Sequence, residues 1–220
     1  MNNKGILTVV SGFSGAGKGT IMKALLGKYP EKYALSISAT TRKPREGEVH
    51  GREYFFVEKE EFLRMIEEGE LLEYAGYVDN FYGTPRKYVL DRLAEGRNVI
   101  LEIEIQGALK IKERFPDVLL LFVTAGTPEE LYRRLRTRGT EDLKTIISRM
   151  KRASEEADFI EKYDYLIVNE DVDTSVETVN SIITAEQNRV ARTPGSAAVI
   201  KRDLMTFLDE IDKTGEEDLL

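Results

Sequence analysis

The stretch VVSGFSGAGKGTIMKAL, residues 9–25, sets a short apolar run before four glycines, Gly12, Gly15, Gly17 and Gly19, with Lys18 among them. The spacing G-F-S-G-A-G-K from Gly12 to Lys18 is that of a phosphate-binding loop delivered by a strand and followed by a helix. Each part has a physical reason. Glycines permit positive φ and close backbone approach, so successive N–H groups can converge on phosphate oxygens. The helix N-terminus adds partial positive charge. Lys18 supplies a mobile point charge for the β- and γ-phosphates of a triphosphate. The candidate triphosphate site is therefore Gly12, Phe13, Ser14, Gly15, Ala16, Gly17, Lys18, Gly19 and Thr20. A dinucleotide fingerprint does not fit, because Gly15 and Gly17 would need a third glycine where Thr20 stands. Gly19 occupies the place where a hydroxyl commonly helps to hold Mg²⁺, and Thr20 follows one position later. Two arrangements remain open: Thr20 on the phosphate, or a metal held mostly through water.

Outward from the loop, buried strands alternate with helices. Hydrophobic spacing predicts strands over residues 6–10, 33–38, 54–57, 71–78, 98–105, 118–123 and 165–168. It predicts helices beginning at 21 and over 59–68, 86–95, 108–114, 128–136, 141–162 and 172–190. Such alternation means an α/β fold, a parallel central sheet with helices on both faces. Residues 33–95 break the rhythm with short strands and turn residues, and 80–85 reads as a turn region; this segment is expected to be an inserted lobe. After residue 192, TPGSAA reads as a linker to a short amphipathic helix over 204–211 and an acidic end, a tail expected to be loosely packed or partly disordered.

Composition narrows the functional classes. With no cysteine there is no disulfide framework, thiol nucleophile or cysteine-bound metal. A net charge of −7 argues against nucleic acid as the main partner, since counterion release needs a broad basic surface. No apolar run is long enough to span a bilayer, and the N-terminal apolar stretch is too short for a signal peptide, so a cytoplasmic protein is expected. Positive charge is nevertheless clustered at Arg42, Lys43, Arg45 and Arg52, and again at Arg133, Arg134, Arg136 and Arg138. Such clusters suit small anionic ligands or plain solvated surface, and charge patterning alone does not choose between them.

The segments SISATTRKPREGEVHGREY (36–54), ELLEYA (70–75), FYGTP (81–85) and ILEIEIQG (100–107) choose. Together with the loop they closely resemble guanylate kinases, in order and with natural spacing over about residues 5–189. The resemblance implies a P-loop three-layer α/β/α core (1–32, 97–136 and 163–192), an inserted α+β GMP-binding lobe (about 33–96), a helical lid (about 137–162) and a C-terminal extension (193–220). It implies transfer of the γ-phosphoryl of ATP to GMP, with Mg²⁺ as cofactor, in purine nucleotide metabolism. Oligomeric state stays open.

Site roles follow residue by residue. Guanine presents adjacent donors at N1 and N2, for which a carboxylate is the natural partner, and Glu73 matches that family position. Ser38 and Thr84 match the hydroxyls that meet O6, although serine is common where Thr84 stands. Arg42 and Arg45, three apart in a turn, fit a forked clamp on the GMP phosphate, joined by Tyr54 and Tyr82. Glu48 is similar to a family position near the nucleotide that orients an arginine. Glu102 and Glu104 are expected at the end of one buried strand, facing one side. By resemblance Glu102 serves Mg²⁺ through water and Glu104 serves the GMP base or ribose; aspartate is common at both places. Arg134, Arg138 and Arg149 match the lid arginines that, with Lys18 and Arg42, would neutralise the transferring phosphoryl group. Arg133, Arg136 and Arg152 read as solvated helix charges. Asn169, just after the last strand, is expected as an adenine contact.

Overall fold

A computed structural model describes residues 4–77, 79–137, 142–193 and 195–214. In chain order the elements begin with β1 (Leu7–Gly12), α1 (Lys18–Lys28), β2 (Tyr33–Leu35), β3 (Ala39–Thr40), β4 (Phe55–Phe56) and α2 (Lys59–Glu67). Next come β5 (Leu71–Tyr77), β6 (Asn80–Pro85), α3 (Arg86–Ala94), β7 (Asn98–Glu102), α4 (Ile105–Arg114), β8 (Leu119–Ala125) and α5 (Pro128–Thr137). α6 (Leu143–Ala157), β9 (Tyr165–Asn169), α7 (Val172–Gln187) and α8 (Ser196–Thr214) complete them.

A five-stranded parallel sheet runs in the order β2-β7-β1-β8-β9. Both faces are covered, which is why its central strands are continuous apolar runs rather than alternating ones. On one face Ile21 and Leu25 of α1 join Val176, Val179 and Ile183 of α7 against Val10, Leu121 and Val123. On the other, Ala108 and Ile111 of α4 and Val89 of α3 pack on Val9, Val99 and Leu120. Each such side chain is essentially removed from water, worth about 1.5–3 kcal/mol apiece. Register then sets the chemistry. Val10 pairs with Glu102 and Gly12 with Val123, so the glycine loop and Glu102 emerge side by side at the carboxyl edge of the sheet, where α/β folds bind ligands.

A second sheet, ordered β4-β3-β6-β5, has its own small core of Ala39, Phe62 and Leu71, with Phe81 stacked on Phe62 at 5.5 Å between ring centroids. Residues 80–85, expected as a turn, form its β6 strand, antiparallel to β5. The polar breakers that suggested a turn sit at its start, where Asp79 takes φ 62°, a conformation aspartate tolerates. Gly83 is needed for packing: a Cβ there would come within 3.0 Å of both the Glu73 carbonyl and the Phe62 ring.

Other boundaries also moved. Residues 33–35, expected in the inserted lobe, pair with β7 in the main sheet, so the chain crosses to the second sheet only after Leu35. Strand β7 stops at Glu102, and Glu104 instead caps α4, its carboxylate accepting from the Gly107 N–H at 3.1 Å. The two glutamates therefore do not share a strand face. The expected helix over 141–162 ends at Ala157, followed by a separate 3₁₀ turn over Ile160–Lys162.

Helix α8 is far longer than the short helix expected and takes up half of the expected linker. Its apolar residues lie open, with Leu204 59%, Met205 53% and Leu208 52% exposed. Burial this slight contributes little to the domain. A chain ending at residue 193 is expected to melt within about 2 °C of the full chain, as measured by calorimetry. A fall of more than about 5 °C would place α8 in the stabilising core.

Candidate active site

The loop after β1 curls over its own lysine. The Lys18 ammonium donates to the Gly12 and Phe13 carbonyls at 2.7 and 3.1 Å. Below the loop the Ala16 carbonyl accepts from Asn169 Nδ2 at 2.8 Å and from Arg134 Nη1 at 3.2 Å. Arg134 is fixed in turn: Nη2 donates to the Asn169 carbonyl at 2.8 Å and Nε to Glu130 at 2.6 Å. Glu130 receives both Arg133 and Arg134, and these bonds hold its carboxyl down to about 2. Arg149 of α6 reaches over the loop and donates to the Ser14 hydroxyl at 2.7 Å.

Between the loop and α6 lies a cleft of about 460 Å³ lined by Ser14, Lys18, Glu102, Glu104, Arg149 and Arg152. More than a third of Glu102 is accessible, yet the crowded cleft around it pushes its carboxyl up, and Lys18 opposes the shift. Thr20 stands exposed in the first turn of α1. Gly19 sits close to Glu102: a Cβ there would lie 3.8 Å from its carboxylate.

A second cavity, about 350 Å³, opens between the two sheets and is lined by Ser36, Ser38, Glu53, Tyr54, Thr84, Glu102 and Ile103. Glu102 and Ile103 border both cavities, so the two adjoin at the end of β7. Behind Thr84 of the second cavity, Glu73 on β5 is 8% exposed and accepts from the Thr84 hydroxyl on β6 at 2.7 Å. Burial raises the Glu73 carboxyl above its ordinary value; Thr84 counters this and the nearby Glu104 adds to it. A buried carboxylate with one strong partner has lone pairs left for donors.

A cation clamp stands on the same lobe. Arg42 makes a two-pronged pair with Glu48, at 3.0 and 2.9 Å, and lies over the Tyr54 ring at 5.4 Å. The Arg45 N–H caps the same carboxylate at 2.7 Å. The Arg42 bonds, with this cap, hold Glu48 below the usual carboxylate range. Tyr54 and Tyr82 meet edge to face at 6.0 Å, close beside the guanidinium. The arrangement presents a preorganised, permanently charged arginine beside two phenols, suited to a phosphate dianion.

A model of the guanylate kinase family matches residues 4–186. The chain belongs to the guanylate kinase family. It is 53% identical over 192 residues to the curated guanylate kinase of Caldanaerobacter subterraneus subsp. tengcongensis, covering 87% of this chain and 93% of that one. It is 53% identical over 189 residues to that of Clostridioides difficile, covering 86% and 92%. Among solved structures, guanylate kinase from Anaplasma phagocytophilum superimposes with a TM-score of 0.70 at 36% identity, covering 90% of this chain and 94% of that one.

Within this guanylate-kinase frame the sequence-derived residues fall into two groups. Lys18, Glu102 and Arg149 line the first cavity; Ser38, Tyr54 and Thr84 line the second, with Glu73 bonded to Thr84. Arg42, Glu48, Arg45 and Tyr82 gather at the second cavity's outer side. Glu104 is the N-cap of α4 at the border of the first cavity, rather than a strand residue beside Glu102. Asn169 is 2% exposed and bonded beneath the loop, so its side chain offers no surface to an adenine ring. Arg138 lies outside the described residues. Two neighbours of the site were not singled out. Arg152, read as solvated, is 63% exposed along its side chain, and it also lines the first cavity with Arg149, 4.0 Å from Glu104, a place that the i,i+3 spacing from Arg149 marks. Glu130 orients Arg134 from one turn earlier, the same kind of signal.

Proposed function

We propose that this guanylate kinase moves the γ-phosphoryl of ATP onto GMP by holding the two nucleotides in the two adjoining cavities. A GMP phosphate oxygen attacks the γ-phosphorus; the bond from that phosphorus to the bridging oxygen breaks, leaving ADP and GDP. The acceptor is already ionised at neutral pH, so no general base is required. The protein contributes position and charge.

The observation that carries this reading is the buried Glu73–Thr84 pair, set in a separate lobe across from Lys18. Glu73 is assigned to guanine N1–H and N2–H, with Ser38 at O6 and the Thr84 hydroxyl turning from Glu73 to O6 once the guanine donors replace it. Adenine would set a lone pair against the carboxylate and leave the hydroxyls mispaired, an arrangement that rejects an analogue by as much as about 10⁴-fold. Arg42, Arg45, Tyr54 and Tyr82 are assigned to the GMP phosphate, with Glu48 orienting Arg42. Glu104 is assigned to the GMP ribose or base. The loop from Gly12 to Thr20 holds the ATP phosphates, and Lys18, Arg138 and Arg149 neutralise the transferring group; Arg134, expected among them, is spent beneath the loop on the Ala16 and Asn169 carbonyls and Glu130.

Among the described residues no three carboxylates or histidines stand close enough to cage a metal. That donor set suits Mg²⁺ brought on a triphosphate, which keeps most of its water and phosphate ligands. Glu102 through water, with Thr20, would hold it, and the ion would neutralise charge on the phosphate oxygens. Among the described residues no helix is long and apolar enough to cross a membrane. We place the enzyme in the cytoplasm, where GMP is recycled.

A coupled assay of ADP release across GMP, AMP, UMP and CMP tests the reading. Turnover with GMP is expected to exceed the others by at least about 10³-fold in kcat/KM. Comparable rates with AMP would overturn the assignment of Glu73, and no turnover with any acceptor would make the fold a binding module.

A further inference from the structure

Beneath the phosphate loop lies a buried amide–hydroxyl pair that the transfer itself does not use. Asn169, the last residue of β9, is 2% exposed, and Ser175 in the first turn of α7 is 3% exposed. The Ser175 hydroxyl donates to Asn169 Oδ1 at 3.0 Å, while Asn169 Nδ2 donates to the Ala16 carbonyl at 2.8 Å. The Ala16 carbonyl can only accept, so the amide turns Nδ2 toward the loop, and the Ser175 hydroxyl then holds Oδ1 from the other side. Arg134 reinforces the same carbonyl from α5.

A trans peptide sets its C=O and the next N–H on opposite sides, and no cis peptide occurs among the described residues. Drawing the Ala16 carbonyl toward β9 therefore turns the Gly17 N–H the other way, toward the concave side of the loop. The amide also dictates the residue at 17: φ there is 94°, and a Cβ would lie 2.3 Å from Asn169 Nδ2.

We propose that Asn169 and Ser175 are positioning residues for the ATP phosphates. Ser175 anchors the Asn169 amide through Oδ1, and the amide fixes the Ala16–Gly17 peptide so that the Gly17 N–H is presented to phosphate oxygen. The assignment rests on reading the loop as the ATP site.

The test is calorimetric binding of ATP and of GMP, each alone, to the full chain. Ser175→Ala leaves the buried Oδ1 without this donor and loosens the amide, and it is expected to raise the Kd for ATP about ten-fold, while the Kd for GMP stays within about two-fold. Ser175→Thr, which keeps the hydroxyl, is expected to recover most of the ATP affinity. An unchanged Kd for ATP in Ser175→Ala, an equal loss for both nucleotides, or a threonine variant no better than alanine would overturn the proposal. Because the readout is ATP binding, wild-type protein that binds ATP yet fails to phosphorylate GMP would sink the proposed reaction and leave this assignment to the binding data.

Discussion

Replacing Lys18 by alanine is expected to lower kcat about 10³-fold, roughly 4 kcal/mol of transition-state stabilisation. The ammonium sits where the loop, Glu102 and the α6 arginines converge, and its carbonyl contacts are the kind that a triphosphate displaces. In a water-poor cleft one preorganised positive charge on a developing phosphoryl group outweighs any single neutral hydrogen bond. The fold should survive, because Lys18 is only partly buried and α1 keeps Ile21, Met22 and Leu25 in the core. Steady-state kinetics beside a thermal melt decides the matter. Turnover within about ten-fold of wild type would remove Lys18 from the chemistry, and a collapsed melt would reassign it to folding.

Glu73→Gln is expected to pull function and stability in opposite directions. The amide keeps the shape and a partner for Thr84 but offers guanine one acceptor and an unwanted donor in place of a carboxylate. The loss of kcat/KM for GMP should reach about 10²-fold, with the Kd for ATP within about two-fold. Stability should rise. Burial first, and then Glu104, raise the folded Glu73 carboxyl above its unfolded value, so the folded state favours the protonated form. The carboxyl's contribution is then full below the unfolded value and is lost as pH rises through the raised folded one. At neutral pH the ionised group is a burden that a neutral amide lifts. The melting temperature of the ligand-free variant should therefore exceed that of wild type at pH 7, and the gap should narrow as pH falls toward 4. A variant that melts lower at pH 7, or loses ATP and GMP affinity equally, would contradict guanine reading by Glu73. The conflict has a physical basis, since a site that must grip two guanine donors holds an under-satisfied acceptor until they arrive.

The legible part of this site was local. Glycine spacing around Lys18 announces a phosphate loop because φ signs, backbone approach and the following helix are consequences of neighbouring residues. Arg42 and Arg45 were read as a clamp from their spacing in a turn, whereas Glu48 was marked only by the family resemblance, although its pair with Arg42 closes within six residues. Glu104 was misplaced because a strand end and a helix cap both accept a glutamate, and only the Gly107 N–H decides between them. Residues 80–85 were misread because Gly83 looks like punctuation, while its cause is the approach of Phe62 and the Glu73 backbone from other elements. Arg134 and Asn169 could be marked from the chain, but not the carbonyl they share: Asn169 is 153 residues from Ala16, and Arg134 is 118.

The sequence by itself determined the alternation that makes a parallel sheet, the loop that follows its first strand, and the residue types fit for guanine and phosphate. These are matters of periodicity, backbone sterics and functional-group chemistry, all carried by short stretches of chain. Tertiary structure alone decided which side chains are free to meet a nucleotide and which are spent on one another. It buried Asn169 beneath the loop and set Glu73 beside Thr84. It also brought Glu102 to the border of both cavities, through the pairing of Val10 with Glu102 across two strands. Burial and hydrogen-bond commitment depend on what arrives from the rest of the chain, and no local pattern encodes that.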